Sequence, residues 1–381
     1  MSQPSEHQPS QYRCPLRQPE DSSSCSRSPG DGDLPPANGF RPARFLGTGN
    51  AQTIWPHFFR RVPPLVGATH EVWPDARGQD RSQDGLEDGL DVVATPTRPG
   101  RPGVVLWHGL EARADSTYMR GLAHAVRAAG WNVLAVSFPS CGPSGERQRS
   151  LYHAGKTEDV KGVLARARAR WGTDEIAGVG VSLGGNMLLK YLGETGGASE
   201  LAAAVAISVP FDLGICAARL DGPGFFPWLY RERFLRSLRR KARRLARRDT
   251  TGAPDVAPSA GLRGLTDRSI AGIRTIADFD DQVTAPLFGF DDASDYWRRN
   301  SSCAFLPSIA RPTLLISAKD DPFVGTDCLP TDAVAENPHV RLWLSERGGH
   351  VGFVAGSLLR PRFVVDDLTI QFLRAHLHPR S

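Results

Sequence analysis

The sequence predicts an α/β protein whose mostly parallel central sheet is flanked by helices and interrupted by a helical cap insertion. Three observations carry this reading. From Val104 onward, short runs rich in β-branched residues alternate with stretches of helical periodicity, at a spacing that suits βαβ units. After Pro210 the alternation stops for roughly 100 residues and resumes at Thr313, as an insertion between two strands of one sheet does. The chain has 381 residues, 40% hydrophobic and 23% charged, with 39 Gly and 30 Pro; this is enough for one large or two medium domains and excludes a wholly disordered or fibrous chain.

Taken in order, residues 1–40 hold 8 Ser, 7 Pro and 3 Gly with only scattered apolar side chains, too few to offset the entropy of ordering, so a flexible tail is expected. The folded domain is expected over 41–381. Its first strand is read at 104–107, followed by a helix at 117–129, a strand at 132–138 and a helix at 157–171. A strand at 176–181, a sharp turn at Ser182 and a helix at 183–192 follow, then a strand at 202–208. Residues 211–310 form the expected cap. Strands return at 313–317 and 340–344, and a helix near 364–377 closes the chain.

Formal charge is +5, but residues 229–248 hold ten Arg or Lys against one Glu, leaving the remainder of the chain at −4. Basicity is therefore local. Within that segment Phe234, Leu235, Leu238, Ala242 and Leu245 recur at steps of one turn, so it can form an amphipathic helix. Either its stripe packs on the core as a lid helix with solvated arginines, or the basic cap contacts an anionic membrane. No nucleic-acid-binding motif accompanies the charge. Six cysteines, at 14, 25, 141, 216, 303 and 328, form no CxxC pair and are read as reduced thiols rather than a zinc site or disulfide framework. No run reaches 18 apolar residues, and residues 1–28 lack a basic and apolar leader. The expectation is a cytoplasmic protein, with peripheral contact at the inner membrane through the cap as an option.

Gly180-Val181-Ser182-Leu183-Gly184 matches the G-x-S-x-G elbow, in which glycines flank a serine on a strained strand-to-helix turn that exposes its hydroxyl. The motif is short, and its context decides: an apolar β-rich run precedes it and a helix-compatible stretch follows. A serine needs a histidine base, and the base needs an acid to fix its tautomer. In this arrangement the chain order is Ser, acid, His. Asp320 and Asp321 both follow the strand at 313–317. Asp321 is the preferred acid because Pro322 places it at the turn facing the strand's carboxyl end, and Asp320 is the alternative. Gly348-Gly349-His350-Val351-Gly352 follows the strand at 340–344, and its glycines allow a loop to carry the His350 ring over the sheet edge. The loop opened by His108-Gly109-Leu110-Glu111 supplies an oxyanion-hole amide, assigned to Leu110 and partnered by that of Leu183. His108 itself is read as structural. Phe225, Phe226, Trp228 and Tyr230 either line an acyl pocket or pack elsewhere.

These residues resemble the YheT-like family of α/β-hydrolases. The stretches running from Gly178 to Met187, Ala318 to Phe323 and Gly348 to Phe353 are similar to the family's nucleophile, acid and histidine segments. Phe279-Asp280-Asp281-Gln282-Val283-Thr284-Ala285 resembles a stretch of its cap, and Gln52-Thr53-Ile54-Trp55-Pro56 with the stretch from Tyr152 to Asp159 adds support. The resemblance spans about 41–375 and implies a serine hydrolase with Ser182 as nucleophile, Asp321 as acid and His350 as base. The implied substrates are short- to medium-chain acyl esters or acylglycerol-like lipids. Two departures stand out: the stretch from Phe138 to Gly145 lacks an arginine the family carries, and Asn50 stands where a histidine is common. Transfer of the acyl group to an alcohol is open to the same residues, and the other reading is a weakly catalytic membrane-binding protein. No metal or organic cofactor is implied.

Overall fold

The computed structural model describes residues 34–74, 89–146, 148, 150–250 and 265–378. Helix α1 (Gly49–Phe59) precedes an antiparallel pair, β1 (Thr69–Pro74) and β2 (Gly89–Ala94). Then come β3 (Gly103–Trp107), α2 (Thr117–Ala128), β4 (Asn132–Ser137), α3 (Thr157–Trp171), β5 (Ile176–Val181), α4 (Leu183–Thr195) and β6 (Ala203–Ile207). The strands β7 (Thr313–Ala318) and β8 (Val340–Ser345) follow an insert and complete one eight-stranded sheet of order β1-β2-β4-β3-β5-β6-β7-β8. From β4 to β8 every pairing is parallel, while β1 and β2 run antiparallel at one edge. After β8 a hairpin, β9 (Val354–Ser357) with β10 (Arg360–Phe363), leads into the last long helix.

All residues of β3 to β7 are buried, as strands covered on both faces must be. Their side chains divide with period two. Val105, Trp107, Leu134 and Val136 point to one core, with Val160 and Leu164 of α3 and Leu188 of α4. Val104, Leu106, Val133 and Ala135 point to the other, with Leu122 of α2 and with Leu368 and Phe372. The expected α/β class is present, with helices on both faces.

Between β6 and β7 the insert contributes α5 (Leu213–Asp221), α6 (Phe225–Thr250), α7 (Asp267–Gly272), α8 (Ile276–Phe279), a π-helical turn (Asp280–Thr284), α9 (Ala285–Phe288) and α10 (Ala293–Asn300). A short helix between β7 and β8, α11 (Thr331–Glu336), and the last long helix, α12 (Val364–His376), complete the fold. The insert has its own apolar centre: Leu235, Leu238, Ala242 and Leu245 of α6 pack with Ile270, Ile273 and Phe279. Burying each leucine there contributes about 1.5–3 kcal/mol, and the stripe faces the interior of the insert and not solvent. Nor are all its cations solvated, since Lys241 is buried.

Residues 34–40, expected within the tail, pack on the domain instead. Leu34 is buried, Trp343 donates to the Pro35 carbonyl at 2.8 Å, and Phe40 meets the Trp343 and Phe353 rings edge-on. Three contacts of this kind offset the ordering entropy of a few residues. Residues 1–33, with Cys14 and Cys25, lie outside the described residues. Among the described residues no helix is long and apolar enough to cross a membrane.

Candidate active site

β5 ends at Val181 and α4 begins at Leu183, which leaves Ser182 as the whole turn, at φ 52° and ψ −119°. Such backbone costs on the order of 1–3 kcal/mol for a non-glycine residue. It is held by the Ser182 amide, which donates to the Ile207 carbonyl at 2.7 Å, and by the Ser182 carbonyl, which accepts from the Asn186 amide at 3.0 Å. The flanking glycines are steric necessities: a Cβ on Gly180 would lie 2.5 Å from the Gly184 oxygen, and one on Gly184 would lie 2.5 Å from the His108 oxygen.

The His350 ring bridges two of the other expected residues. Its Nε2 stands 2.9 Å from Ser182 Oγ and its Nδ1 stands 2.8 Å from Asp321 Oδ2. A carboxylate accepts, so Nδ1 carries the proton and Nε2 is left to accept from the serine hydroxyl. Asp321 is 3% exposed, and its Oδ1 accepts from the Phe323 and Val324 amides at 2.8 and 3.2 Å. Its neighbour Asp320 turns away from the ring and accepts from the Gly349 amide at 2.9 Å; burial raises its pKa. Asp320 thus braces the histidine loop and does not touch the imidazole.

Sequence reading missed most of that loop's supports. Thr53 Oγ1 accepts from the His350 amide at 2.9 Å, Ser208 Oγ accepts from the Val351 amide at 3.0 Å, and Gln52 exchanges hydrogen bonds with the backbone of Val354. The Gln52-Thr53 motif was the available signal. Asn50, the departure from the family pattern, accepts from Tyr230 of α6 at 2.8 Å and so ties α1 to the insert.

Leu183 is the first residue of α4, and its amide is one of the donors that a helix leaves without an internal acceptor. Leu110 lies on the loop after β3, between two amides that are already engaged: Gly109 donates to Tyr118 Oη and Glu111 to Tyr152 Oη, both at 2.9 Å. A Cβ on Gly109 would approach Ser182 Cβ to 3.0 Å, so this loop runs directly over the serine. His108 is fully buried. Its Nδ1 meets the Gly109 carbonyl at 2.7 Å, its Nε2 accepts from the Phe138 amide at 3.0 Å, and burial pushes its pKa down to about 3. It is a neutral structural histidine.

Ser182, His350, Leu110 and Leu183 open onto one cavity, with about 830 Å³ of empty space including its mouth. Its walls are mainly apolar, from Leu213, Leu220, Phe234, Leu238 and Phe323. Its aromatic lining comes from Tyr152, Phe234, Phe279, Tyr296, Trp297 and Phe323. Phe225, Phe226 and Trp228 are exposed instead, and Tyr230 stacks edge-on against Phe323 at 4.7 Å. The cavity also receives Asp280, whose carboxylate accepts from Trp297 Nε1 and Thr284 Oγ1, both at 2.8 Å, and whose pKa burial raises to about 6. Among the described residues no cluster of three or more His, Cys, Asp or Glu side chains could hold a metal ion.

Residues 102–357 match the alpha/beta hydrolase fold family. Over 347 residues the chain is 34% identical to the YheT protein of Escherichia coli (strain K12), covering 90% of this chain and 95% of that one. It is 28% identical over 258 residues to the monoacylglycerol lipase of Saccharomyces cerevisiae, covering 66% of this chain and 55% of that one. Among solved structures it is similar to the Pyrococcus furiosus esterase Pf2001, with a TM-score of 0.51 at 16% identity, covering 84% of this chain and 99% of the other.

Proposed function

The chain belongs to the YheT-like family of α/β-hydrolases, and from that premise we propose that it hydrolyses carboxylic esters through Ser182, His350 and Asp321. One observation carries the reading: the unbroken contact line from Ser182 Oγ through the imidazole to the Asp321 carboxylate, at 2.9 and 2.8 Å, at the wall of an apolar cavity. Ser182 Oγ attacks the acyl carbon and passes its proton to His350 Nε2, while Asp321 stabilises the imidazolium through Nδ1. The Leu110 and Leu183 amides donate to the carbonyl oxygen as it gains charge. His350 then protonates the leaving alcohol, and water deprotonated by the same ring releases the acid from the acyl-enzyme. The apolar walls suit an acyl chain, and the likeness to a monoacylglycerol lipase supports an acylglycerol-like or short- to medium-chain substrate. The helices between β6 and β7 act as the cap of the cavity, which several of them line.

The test is labelling with a fluorophosphonate probe together with p-nitrophenyl butyrate hydrolysis. Wild type is expected to react in both assays and a folded Ser182→Ala variant in neither. Undiminished turnover by that variant would sink the proposal.

A lipid substrate also needs a route from a membrane, and exposure favours one face. Phe225, Leu229, Arg233, Arg236 and Arg240 follow one another at steps of three or four along α6, so they share a face, and all are exposed. Arg233 donates to His57 Nε2 at 2.7 Å, which joins this face to Phe58 and Phe59 at the end of α1, 67% and 59% exposed. Aromatic side chains beside arginines fit an anionic lipid surface. We therefore place the membrane contact here, on the side of α6 opposite its buried stripe, to be tested by salt-dependent binding to vesicles.

A further inference from the structure

Lys241 lies on α6 among arginines, yet its side chain is 7% exposed and points into the molecule. Its Nζ lies 2.6 Å from Glu111 Oε1, on a side chain that is itself 5% exposed, and 3.0 Å from Cys141 Sγ. It also stands 5.3 Å from the centre of the Tyr152 ring. Burial by itself disfavours the ammonium, and the Cys141 and Glu111 partners outweigh it, so the Lys241 pKa stands above the ordinary lysine value. Taking both charges out of water is expensive, and such a pair is weak evidence of stabilisation by itself. What distinguishes this pair is where Glu111 sits.

Glu111 follows Leu110 directly. It holds a left-handed backbone, φ 55°, that a non-glycine side chain adopts only when its surroundings impose it. Those surroundings are explicit: its amide donates to Tyr152 Oη at 2.9 Å, Tyr152 Oη donates back to Glu111 Oε1 at 2.7 Å, and Lys241 donates to the same oxygen. One turn further along α6, Arg244 donates to Ser140 Oγ at 2.7 Å on the loop after β4. The basic helix thus reaches into the loops beneath it at two successive turns.

We propose that Lys241 is a positioning residue for ester hydrolysis: by holding Glu111, it keeps the loop after β3 in the conformation that presents the Leu110 amide to the oxyanion formed at Ser182. The inference rests on the proposed function and adds to it a dependence of the oxyanion site on a residue of the insert. Lys241 itself touches neither substrate nor reacting atoms.

Lys241→Met alone strands the Glu111 charge in the interior and is expected to lose stability, so the decisive protein is Lys241→Met with Glu111→Gln, which removes both charges of the pair. For p-nitrophenyl butyrate, kcat of the double variant is expected to fall on the order of 10²-fold, the scale of a displaced oxyanion donor, with KM within about twofold. Its affinity for an alkyl trifluoromethyl ketone, whose adduct places an oxyanion at the same amides, should fall in parallel. Lys241→Arg should recover part of both. If the pair serves only to join two parts of the fold, the folded double variant will keep kcat and ketone affinity within about twofold of wild type, and that result overturns the inference while leaving the proposed function intact. A wild type unreactive toward both ester and fluorophosphonate removes the two together.

Discussion

Replacing Asp321 by Asn preserves the volume of the side chain and removes the acceptor that keeps the proton on His350 Nδ1, with Nε2 facing Ser182 Oγ at 2.9 Å. For the Asp321→Asn variant, kcat toward p-nitrophenyl butyrate is expected to drop by about 10⁴-fold, because the imidazole is then held in the wrong tautomer. Asp320→Asn should cost far less, since that carboxylate contacts the Gly349 amide and not the ring; steady-state kinetics of the two variants side by side decide between them, and an equal loss in both would contradict this division. At this scale Ser182 and His350 were legible because each lies in a glycine-flanked motif, and Asp321 because a proline follows it. The roles of Tyr152, Thr53, Glu111 and Lys241 were not, although Thr53 and Tyr152 lie in stretches that resemble the family. Their roles come from partners far away in sequence, such as the 130 positions between Glu111 and Lys241 and the 297 between Thr53 and His350, and no local pattern encodes such a meeting.

Among elements, the strands and helices from β3 to β6 were readable because burial on both faces demands continuous apolar runs and helices between them demand a period near 3.6. The edge strands escaped notice for the converse reason. β1, with the sequence THEVWP, is mostly exposed, and β2 carries Asp91, whose buried carboxylate accepts from the Ser144 hydroxyl and amide at 2.6 and 3.1 Å. A polar edge and an acid inside a strand both hide the pattern. α6 was legible as an amphipathic helix, but its sequence leaves open which side is free, and packing against α7 and α8 resolves that. Membrane contact is therefore a test of its outer face. Phe225→Ser with Leu229→Ser is expected to weaken co-sedimentation with phosphatidylglycerol vesicles by about tenfold, the order expected from withdrawing exposed apolar side chains from a lipid interface, and added salt should weaken the wild type. Hydrolysis of p-nitrophenyl butyrate should not change. Equal binding to phosphatidylcholine vesicles at every salt concentration would remove the proposal.

Taken as a whole, the molecule is a sheet with two large cores, a small apolar cluster of Ala43, Leu46 and Val354, and a further apolar centre built mainly by the insert with neighbours such as Leu151 and Phe323. The insert meets the sheet and its loops through many polar ties, among them Lys241 to Glu111, Arg244 to Ser140, Tyr230 to Asn50 and Arg233 to His57. Thermodynamic reciprocity then applies: if a seated insert improves the grip on an oxyanion, a bound oxyanion must in the same measure hold the insert down. Occupying Ser182 with a trifluoromethyl ketone is accordingly expected to slow backbone hydrogen exchange along α6 around Lys241, and the Lys241→Met and Glu111→Gln double variant should lose that slowing. Exchange in α6 that ignores the inhibitor would show the two layers to be uncoupled. On this account the insert senses an oxyanion bound beneath it, and its hydrogen exchange reports whether that site is occupied.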